Sequence, residues 1–221
     1  MPRRLTPLIT DQIYHIYNRG IDHRRTFIQK FDYRRALEAI IYYQHTSMVL
    51  KLAQYRILSL ENKKRFDLVM KNSLYNVQLI SYCLMPNHFH LLIRQKQDNG
   101  ISKFLSNFQN SYTRFFNTKY KRLGPLFLIQ FKAVLITTDE QLLHVHRYIH
   151  LNPYASFIVK NLTDLISYPW SSMNEYLKNT EGYCNKEFIL SFFKKTDYSA
   201  FIFDQADHQR KLKIIKHLTF E

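Results

Sequence analysis

Two histidines separated by one residue, His88 and His90, form a pair whose type and spacing could hold a metal ion. The segment from Phe89 to Arg94, FHLLIR, has the composition of a β-strand. Because side chains alternate between the two faces of a strand, both imidazoles should point the same way while Phe89 enters the core. Two neutral imidazoles side by side can chelate a divalent cation. Such pairs also occur on strands without metal, so the spacing alone leaves a structural role open.

A tyrosine and an asparagine four residues apart, Tyr148 and Asn152, lie in the segment HRYIHLNP. On a helix these two residues share one face, about one turn apart. The phenol and the carboxamide could therefore lie over the same sheet surface as the histidines, where a carboxamide oxygen can serve as a third metal ligand. The other interpretation is that Tyr148 is a core ring and Asn152 only ends the helix before Pro153.

Further histidines lie close to these residues in the sequence. His15 is in the first predicted strand and could either face the site or be structural. His144 shares the helical face of Tyr148, so it could assist proton transfer or be an ordinary polar surface residue. His150 is also near Tyr148, whereas we expect His146 to lie on another helical face and exclude it from the site.

Alternating strands and helices must position these side chains. The order strand, helix, strand, strand, helix, strand predicts an α+β fold, a ferredoxin-like split βαβ sandwich with an antiparallel sheet. Pro86 and Asn87 favour the turn between the second and third strands. The predicted strands are 12–18, 76–84, 89–94 and 130–136, and the predicted helices are 31 to about 55, 61–75, 101 to about 121, and 138–152.

The same pattern suggests two domains. Residues 1–155 would form the domain that carries the site, with a basic helical insertion at about 48–75. Residues 156–221 would form a C-terminal, mostly helical extension with a basic end between Arg210 and Lys216. We interpret that basic end as a solvated helix face.

Charge is the most informative property of the composition. The chain has 32 Lys and Arg against 17 Asp and Glu, a net charge of +15. An excess of this size attracts polyanions, and nucleic acid is the leading candidate. The basic residues are spread along the chain instead of forming one amphipathic segment, which argues against an anionic membrane as the partner. The 16 Tyr and 17 Phe include rings on which unpaired bases could stack, although most should be core.

Several protein classes are disfavoured by the composition. With 221 residues, 46% hydrophobic residues and no apolar run near the ~18 residues of a membrane span, the chain is expected to be a globular, cytoplasmic protein. Cys83 and Cys184 have no metal-motif spacing and are expected to be reduced thiols, which argues against redox chemistry.

Four separated motifs together resemble a known family. YHIYNRG, MPNHFHLL, YTRFFNTKYKRLGPLF and YIHLNP occur in this order between residues 14 and 153. They are similar to the motifs of the REP-associated tyrosine transposases, which are IS200-like, single-tyrosine members of the HUH endonuclease superfamily. The similarity extends from about residue 12 to about residue 175. The insertion and the end beyond about Gly182 depart from the family pattern.

The resemblance implies roles for individual residues. Tyr148 matches the nucleophile, and His88, His90 and Asn152 match the ligands of Mg²⁺ or Mn²⁺, of which the nitrogen-rich set slightly favours Mn²⁺. The implied reaction is cutting and rejoining of single-stranded DNA, near hairpin or repeat elements, through a 5′-phosphotyrosine. Five basic residues inside the family-like motifs could bind phosphates or stack on bases: Arg19, Arg114, Lys121, Arg122 and Lys132.

Three hypotheses about function follow. The first is the metal-dependent nuclease and strand transferase. The second is a regulator of the same fold that binds nucleic acid without cutting it, and the third is a metal-dependent nuclease that uses water and would survive Tyr148→Phe. We expect single-stranded or hairpin DNA as the partner, no membrane, no small-molecule organic cofactor, and a bacterial cytoplasmic location near the nucleoid. Monomer and homodimer stay open.

Overall fold

A four-stranded antiparallel sheet forms the centre of the structure, a computed structural model that describes residues 7–46, 50–178, 180–193 and 197–218. Its strands are β1 (Ile13–Arg19), β2 (Val77–Met85), β3 (His88–Gln95) and β4 (Lys132–Leu135). The spatial order is β2-β3-β1-β4, and each neighbouring pair is antiparallel. This confirms the predicted α+β fold with a ferredoxin-like strand order.

Ten helices accompany the sheet in the described residues. Their bounds are α1 Lys30–Tyr43, α2 Leu52–Arg56, α3 Leu60–Lys71, α4 Gly100–Lys119, α5 Asp139–Ala155, α6 Leu162–Ile166, α7 Met173–Leu177, α8 Glu187–Leu190, α9 Tyr198–Asp204 and α10 Ala206–Leu218. Short 3₁₀ segments lie at Ile21–His23 and Ser191–Phe193. No helix in these ranges is both long and apolar enough to cross a membrane.

The two faces of the sheet bury different sets of side chains. Tyr14, Ile16 and Phe89 point into a core shared with α1 and α4. Leu92 and Cys83 point into a second core shared with α5 and the C-terminal helices. Because neighbouring residues on a strand face opposite ways, His15 and His90 lie on the α5 side. The strand alternation therefore decides which helix meets the histidines.

The prediction of one helix from 31 to about 55 is wrong. Helix α1 ends at Tyr43, and α2 begins at Leu52. The break occurs because the Gln44 carbonyl accepts hydrogen bonds from the backbone N–H groups of Asn76 and Val77, and its side chain accepts another from Leu79. Gln44 thus forms hydrogen bonds with β2 and the residue before it, and the helix does not continue. The start of the predicted insertion, residue 48, lies outside the described residues, and the rest of it forms α2 and α3.

Two other helix ends differ from the prediction. Helix α3 ends at Lys71, four residues before the predicted end. Helix α5 continues through Pro153 to Ala155. Its last turn is maintained because the Asn152 carbonyl accepts from Ser156 N–H and the Pro153 carbonyl accepts from Ile158 N–H. Proline removes a donor, but it leaves its own carbonyl available for this turn.

The C-terminal helices share the second core with the sheet. Ile189, Ile202 and Ala206 are buried in it together with Leu92 of β3 and Ile149 of α5. The proposed division into residues 1–155 and 156–221 stays a prediction. The side chains of Lys213 and Lys216 in the predicted basic end lie outside the described part of the chain, as do residues 1–6.

Candidate active site

The two histidines of β3 lie on one face of the sheet, as the alternation predicts. The ring centroids of His88 and His90 are 5.0 Å apart, with the rings nearly perpendicular. Phe89 between them is fully buried on the other face, where its ring contacts Phe108 and Phe127. The buried phenylalanine fixes the strand, and the strand fixes both imidazoles.

Each of these histidines uses its Nδ1 atom for a contact with the protein. Nδ1 of His90 lies 2.9 Å from Nε2 of His15, and Nδ1 of His88 lies 2.6 Å from Oδ1 of Asn87. Contacts of this kind fix ring orientation and tautomer. Nε2 is then the candidate ligand atom of both imidazoles. Burial lowers the pKa of His15 to about 4, so this histidine is neutral near pH 7.

Tyr148 stands edge-on to the histidines from helix α5. Its ring centroid is 5.4 Å from that of His90 and 6.0 Å from that of His15. The side chain is 37% exposed, so a large substrate can reach it. Burial of the rest of the side chain raises the pKa of the Tyr148 phenol above its ordinary value. A hydrogen bond with Asn152 opposes part of that increase.

Asn152 lies one helical turn after Tyr148 and is fully buried. Its Oδ1 atom accepts a hydrogen bond of 3.0 Å from the Ser156 hydroxyl. No cluster of three or more His, Cys, Asp or Glu side chains suited to a metal occurs in the described ranges. A site built from His88 and His90 therefore needs a ligand of another type, and a carboxamide oxygen is suitable. The donor set of two imidazoles and one carboxamide fits a divalent cation.

Two other tyrosines of the family-like motifs have hydroxyls that are hydrogen-bonded outside the site. Tyr112 is fully buried, and its hydroxyl donates to the Thr26 carbonyl at 2.6 Å. The Tyr120 hydroxyl donates to Asp32 at 2.7 Å. Tyr17 is different, because its ring centroid is 5.7 Å from that of His90. It is a second phenol at the site, and the sequence reasoning did not identify it.

The three histidines of α5 differ in their surroundings, as their positions around the helix require. His144 is exposed. His146 and His150 are fully buried on the side away from the sheet histidines, where both contact the Tyr198 hydroxyl, at 2.8 and 3.1 Å. His150 also contacts the Ser172 hydroxyl at 2.8 Å. This buried polar cluster anchors the helix that carries Tyr148.

Two of the five candidate DNA-binding residues flank the site. Arg19 is the register partner of His88, and Lys132 is the register partner of Tyr17. Cross-strand partners share a face of the sheet, so both cations lie on the site face. Arg19 also contacts the His23 ring, with an N–N distance of 2.9 Å.

The other three candidates lie at the end of α4. Helix α4 packs on the opposite face of the sheet, so Arg114, Lys121 and Arg122 are not brought to Tyr148. They line a surface cavity of about 810 Å³ instead. Arg122 is engaged within its own loop, where it donates to Asn117 and to the carbonyl of Gly124.

Two solved structures match this chain, and the first of them shares its fold. A solved structure of a REP-associated tyrosine transposase bound to a REP hairpin is similar to this chain, with a TM-score of 0.57 and 15% identity, over 90% of this chain and 96% of that one. A second structure, a protein from Deinococcus radiodurans R1 provisionally assigned as a transposase, has a TM-score of 0.29 and 15% identity, over 66% of this chain and 95% of that one. No curated protein sequence matches the chain.

The family model described as "Transposase IS200 like" matches residues 41–152, which is half of the chain. The matched range contains His88, His90, Tyr148 and Asn152. This match and the shared fold confirm the resemblance drawn from the sequence motifs. The chain belongs to the IS200-like transposase family.

Proposed function

We propose that this protein is a metal-dependent endonuclease and strand transferase that acts on single-stranded DNA beside a hairpin. The observation that carries the proposal is the position of Tyr148, which is partly exposed and edge-on to His90 at 5.4 Å. A phenol beside a histidine pair combines a nucleophile with ligands for a cation that stabilises charge on phosphate.

The chemistry of Tyr148 is nucleophilic attack on phosphorus. Its oxygen forms a bond to the scissile phosphate as the bond to the 3′-oxygen breaks. Overall, the phenol loses a proton and the 3′-oxygen gains one, which yields a 5′-phosphotyrosine and a 3′-hydroxyl. Rejoining to another 3′-hydroxyl is the reverse reaction. Because burial raises the pKa of Tyr148, the phenol carries its proton near pH 7 and needs activation in the complex.

His88, His90 and Asn152 would hold the Mg²⁺ or Mn²⁺ ion. When bound, such an ion withdraws charge from a non-bridging phosphate oxygen and aligns the phosphorus for attack. His15 and Asn87 hold the two imidazoles in place through Nδ1. Asn152 contacts both Tyr148 and Ser156. The same residue would therefore bind the ion and help to position the nucleophile.

Single-stranded DNA fits the distribution of charge. Arg19 and Lys132 would bind phosphates on the sheet face that Tyr148 covers, while Arg114 and Lys121 would contact a more distant part of the DNA. Arg122 could reach a phosphate only if its loop contacts changed. The net charge of +15 favours a polyanion, and the related REP-associated transposase was solved with a REP hairpin.

The proposed function is tested by incubating the protein with Mn²⁺ and single-stranded DNA copied from the flanks of its own gene, hairpins included. We expect a covalent protein–DNA species on a denaturing gel. His88→Ala should abolish this species without abolishing DNA binding. Cleavage by His88→Ala without added metal would show the metal assignment to be wrong. Specific binding of hairpin DNA without cleavage would support the non-cutting regulator instead.

A further inference from the structure

A cavity of about 420 Å³ opens at the start of β3, beside His88. Three segments form it: the loop after β1, the turn between β2 and β3, and the residues that follow α5. None of these segments contributes a carboxylate to its lining, whereas His23 and Arg25 contribute basic groups. The volume is near the lower end of the range for small-ligand pockets, about 300–1,000 Å³.

We propose that this cavity binds one unpaired nucleotide of the DNA strand, adjacent to the phosphate that Tyr148 attacks. The inference rests on the proposed function for its place in the reaction. The binding of a nucleotide can nevertheless be tested without any cleavage. Phe157 is the residue we assign to the base.

Phe157 has the properties of a stacking platform. It lines the cavity and is 55% exposed. Its φ angle is +57°, a left-handed conformation that bulky residues rarely adopt. Such backbone strain is concentrated at functional sites. An exposed ring offers a face to any of the four bases.

The C-terminal helix holds this ring in place. The guanidinium of Arg210 lies 4.2 Å from the centroid of Phe157 and 4.0 Å from that of Tyr154. Arg210 also donates a hydrogen bond of 3.1 Å to the Lys160 carbonyl. These contacts give α10 a role at the site, because they orient Phe157 before any ligand binds.

The loop after β1 forms one wall of the cavity and supplies a cation for a phosphate. Arg25 lines the cavity, is exposed, and forms no ion pair with the residues that the structure describes. The wall is fixed by the backbone, since Thr26 N–H and Phe27 N–H both donate to the Pro86 carbonyl, at 2.8 and 3.0 Å. A cavity lined by both an exposed ring and a cation is suited to a nucleotide.

The cavity is continuous with the metal-binding residues. His88 is part of its lining, and so is Ser156, whose hydroxyl donates to Asn152. A strand with a phosphate at Tyr148 would therefore have a neighbouring nucleotide close to Phe157. This contiguity favours a nucleotide of the substrate over an unrelated small molecule.

Photo-crosslinking tests the inference directly. The probe is a random-sequence, single-stranded oligonucleotide in which 5-iododeoxyuridine replaces thymidine, bound at low salt in EDTA so that no metal-dependent cutting occurs. Irradiation followed by proteolysis and mass analysis should give an adduct on Phe157. Phe157→Leu should reduce adducts in that peptide about tenfold, because stacking on the ring is lost.

Phe31 provides the matched control. It is 49% exposed, a value close to that of Phe157, but its ring packs against Phe115 of α4 on the other side of the sheet. Phe31→Leu should leave the Phe157 adduct unchanged. Adducts elsewhere with none on Phe157, or no adduct at all, would overturn the inference. A Phe157 adduct in a protein that forms no phosphotyrosine with Mn²⁺ would support the nucleotide site while contradicting the proposed function.

Discussion

Nε2 of His15 lies 2.9 Å from Nδ1 of His90. Only one of these two atoms can carry the shared proton. If His90 donates it, Nε2 of His90 is left unprotonated and can bind a metal ion; if His15 donates it, that atom is protonated. Metal binding should therefore select the first arrangement, in which His15 acts as the acceptor.

Replacing His15 tests this arrangement. His15→Leu should weaken Mn²⁺ binding by about 10-fold to 100-fold, since contacts that orient a metal ligand have effects of this size. Mn²⁺ binding should be weakened less in His15→Gln, because the glutamine carboxamide oxygen can still accept a hydrogen bond from His90. The measurement is electron paramagnetic resonance titration of Mn²⁺ without DNA. Equal Mn²⁺ affinity in the wild type and His15→Leu would show that the contact has no part in ligand orientation.

Stability should fall as the pH is lowered. Burial lowers the pKa of His15 to about 4 and that of His150 to about 3, below the ordinary value of 6.5. The unfolded chain therefore binds protons first as the pH drops. The stabilising effect is complete above about pH 6.5 and is lost between there and about pH 3 to 4. By about pH 5 the loss should be on the order of 2 kcal/mol for each histidine.

Urea unfolding at several pH values measures this loss. His15→Gln should show a shallower dependence of unfolding free energy on pH than the wild type. His144→Gln is the control, because His144 is exposed. Its pH dependence should match that of the wild type. A wild-type protein as stable at pH 5 as at pH 7 would contradict the burial of these histidines in neutral form.

The Tyr198 hydroxyl should stabilise helix α5, which carries Tyr148. It contacts both His146 and His150, so Tyr198→Phe leaves two buried ring nitrogens short of a partner. We expect a loss of about 1–3 kcal/mol in unfolding free energy. Thermal or urea unfolding measures it, and Tyr183→Phe is the control because Tyr183 is 51% exposed. Equal stability of the two variants would rule out this role for the hydroxyl.

Lys132 should bind a DNA phosphate. Lys132→Ala is expected to weaken single-stranded DNA binding and to reduce the slope of log K against log salt concentration by about 0.7, the value for one phosphate contact. Arg65→Ala provides a comparison, since Arg65 is exposed on α3 and pairs with Glu61. Fluorescence anisotropy at several salt concentrations gives both slopes. A slope unchanged by Lys132→Ala would place the DNA path elsewhere.

The sequence predicts the elements of the sheet better than the contacts between distant segments. Alternation along β3 correctly separates His88 and His90 from Phe89, and the four-residue spacing correctly places Tyr148 and Asn152 within contact. Both follow from local geometry.

Longer-range contacts leave no such pattern. The contact of Tyr198 with His150 joins residues 48 positions apart, and no local signal marks it. The break after α1 has the same origin, because Gln44 bonds to the start of β2 instead of continuing the helix. The bond between His15 and His90 depends on the register of β1 against β3, which the sequence does not specify.

The identity of the nucleophile is the most direct test of the account. Tyr148 and Tyr17 both place a ring within 6 Å of His90, at 5.4 and 5.7 Å, so Tyr17→Phe is a matched control for Tyr148→Phe. The measurement is intact-mass and peptide-mass analysis of the covalent species formed with Mn²⁺ and hairpin-flanked single-stranded DNA. We predict an adduct on Tyr148 that persists in Tyr17→Phe and is absent in Tyr148→Phe. An adduct on another tyrosine, or cleavage that survives Tyr148→Phe, would contradict it.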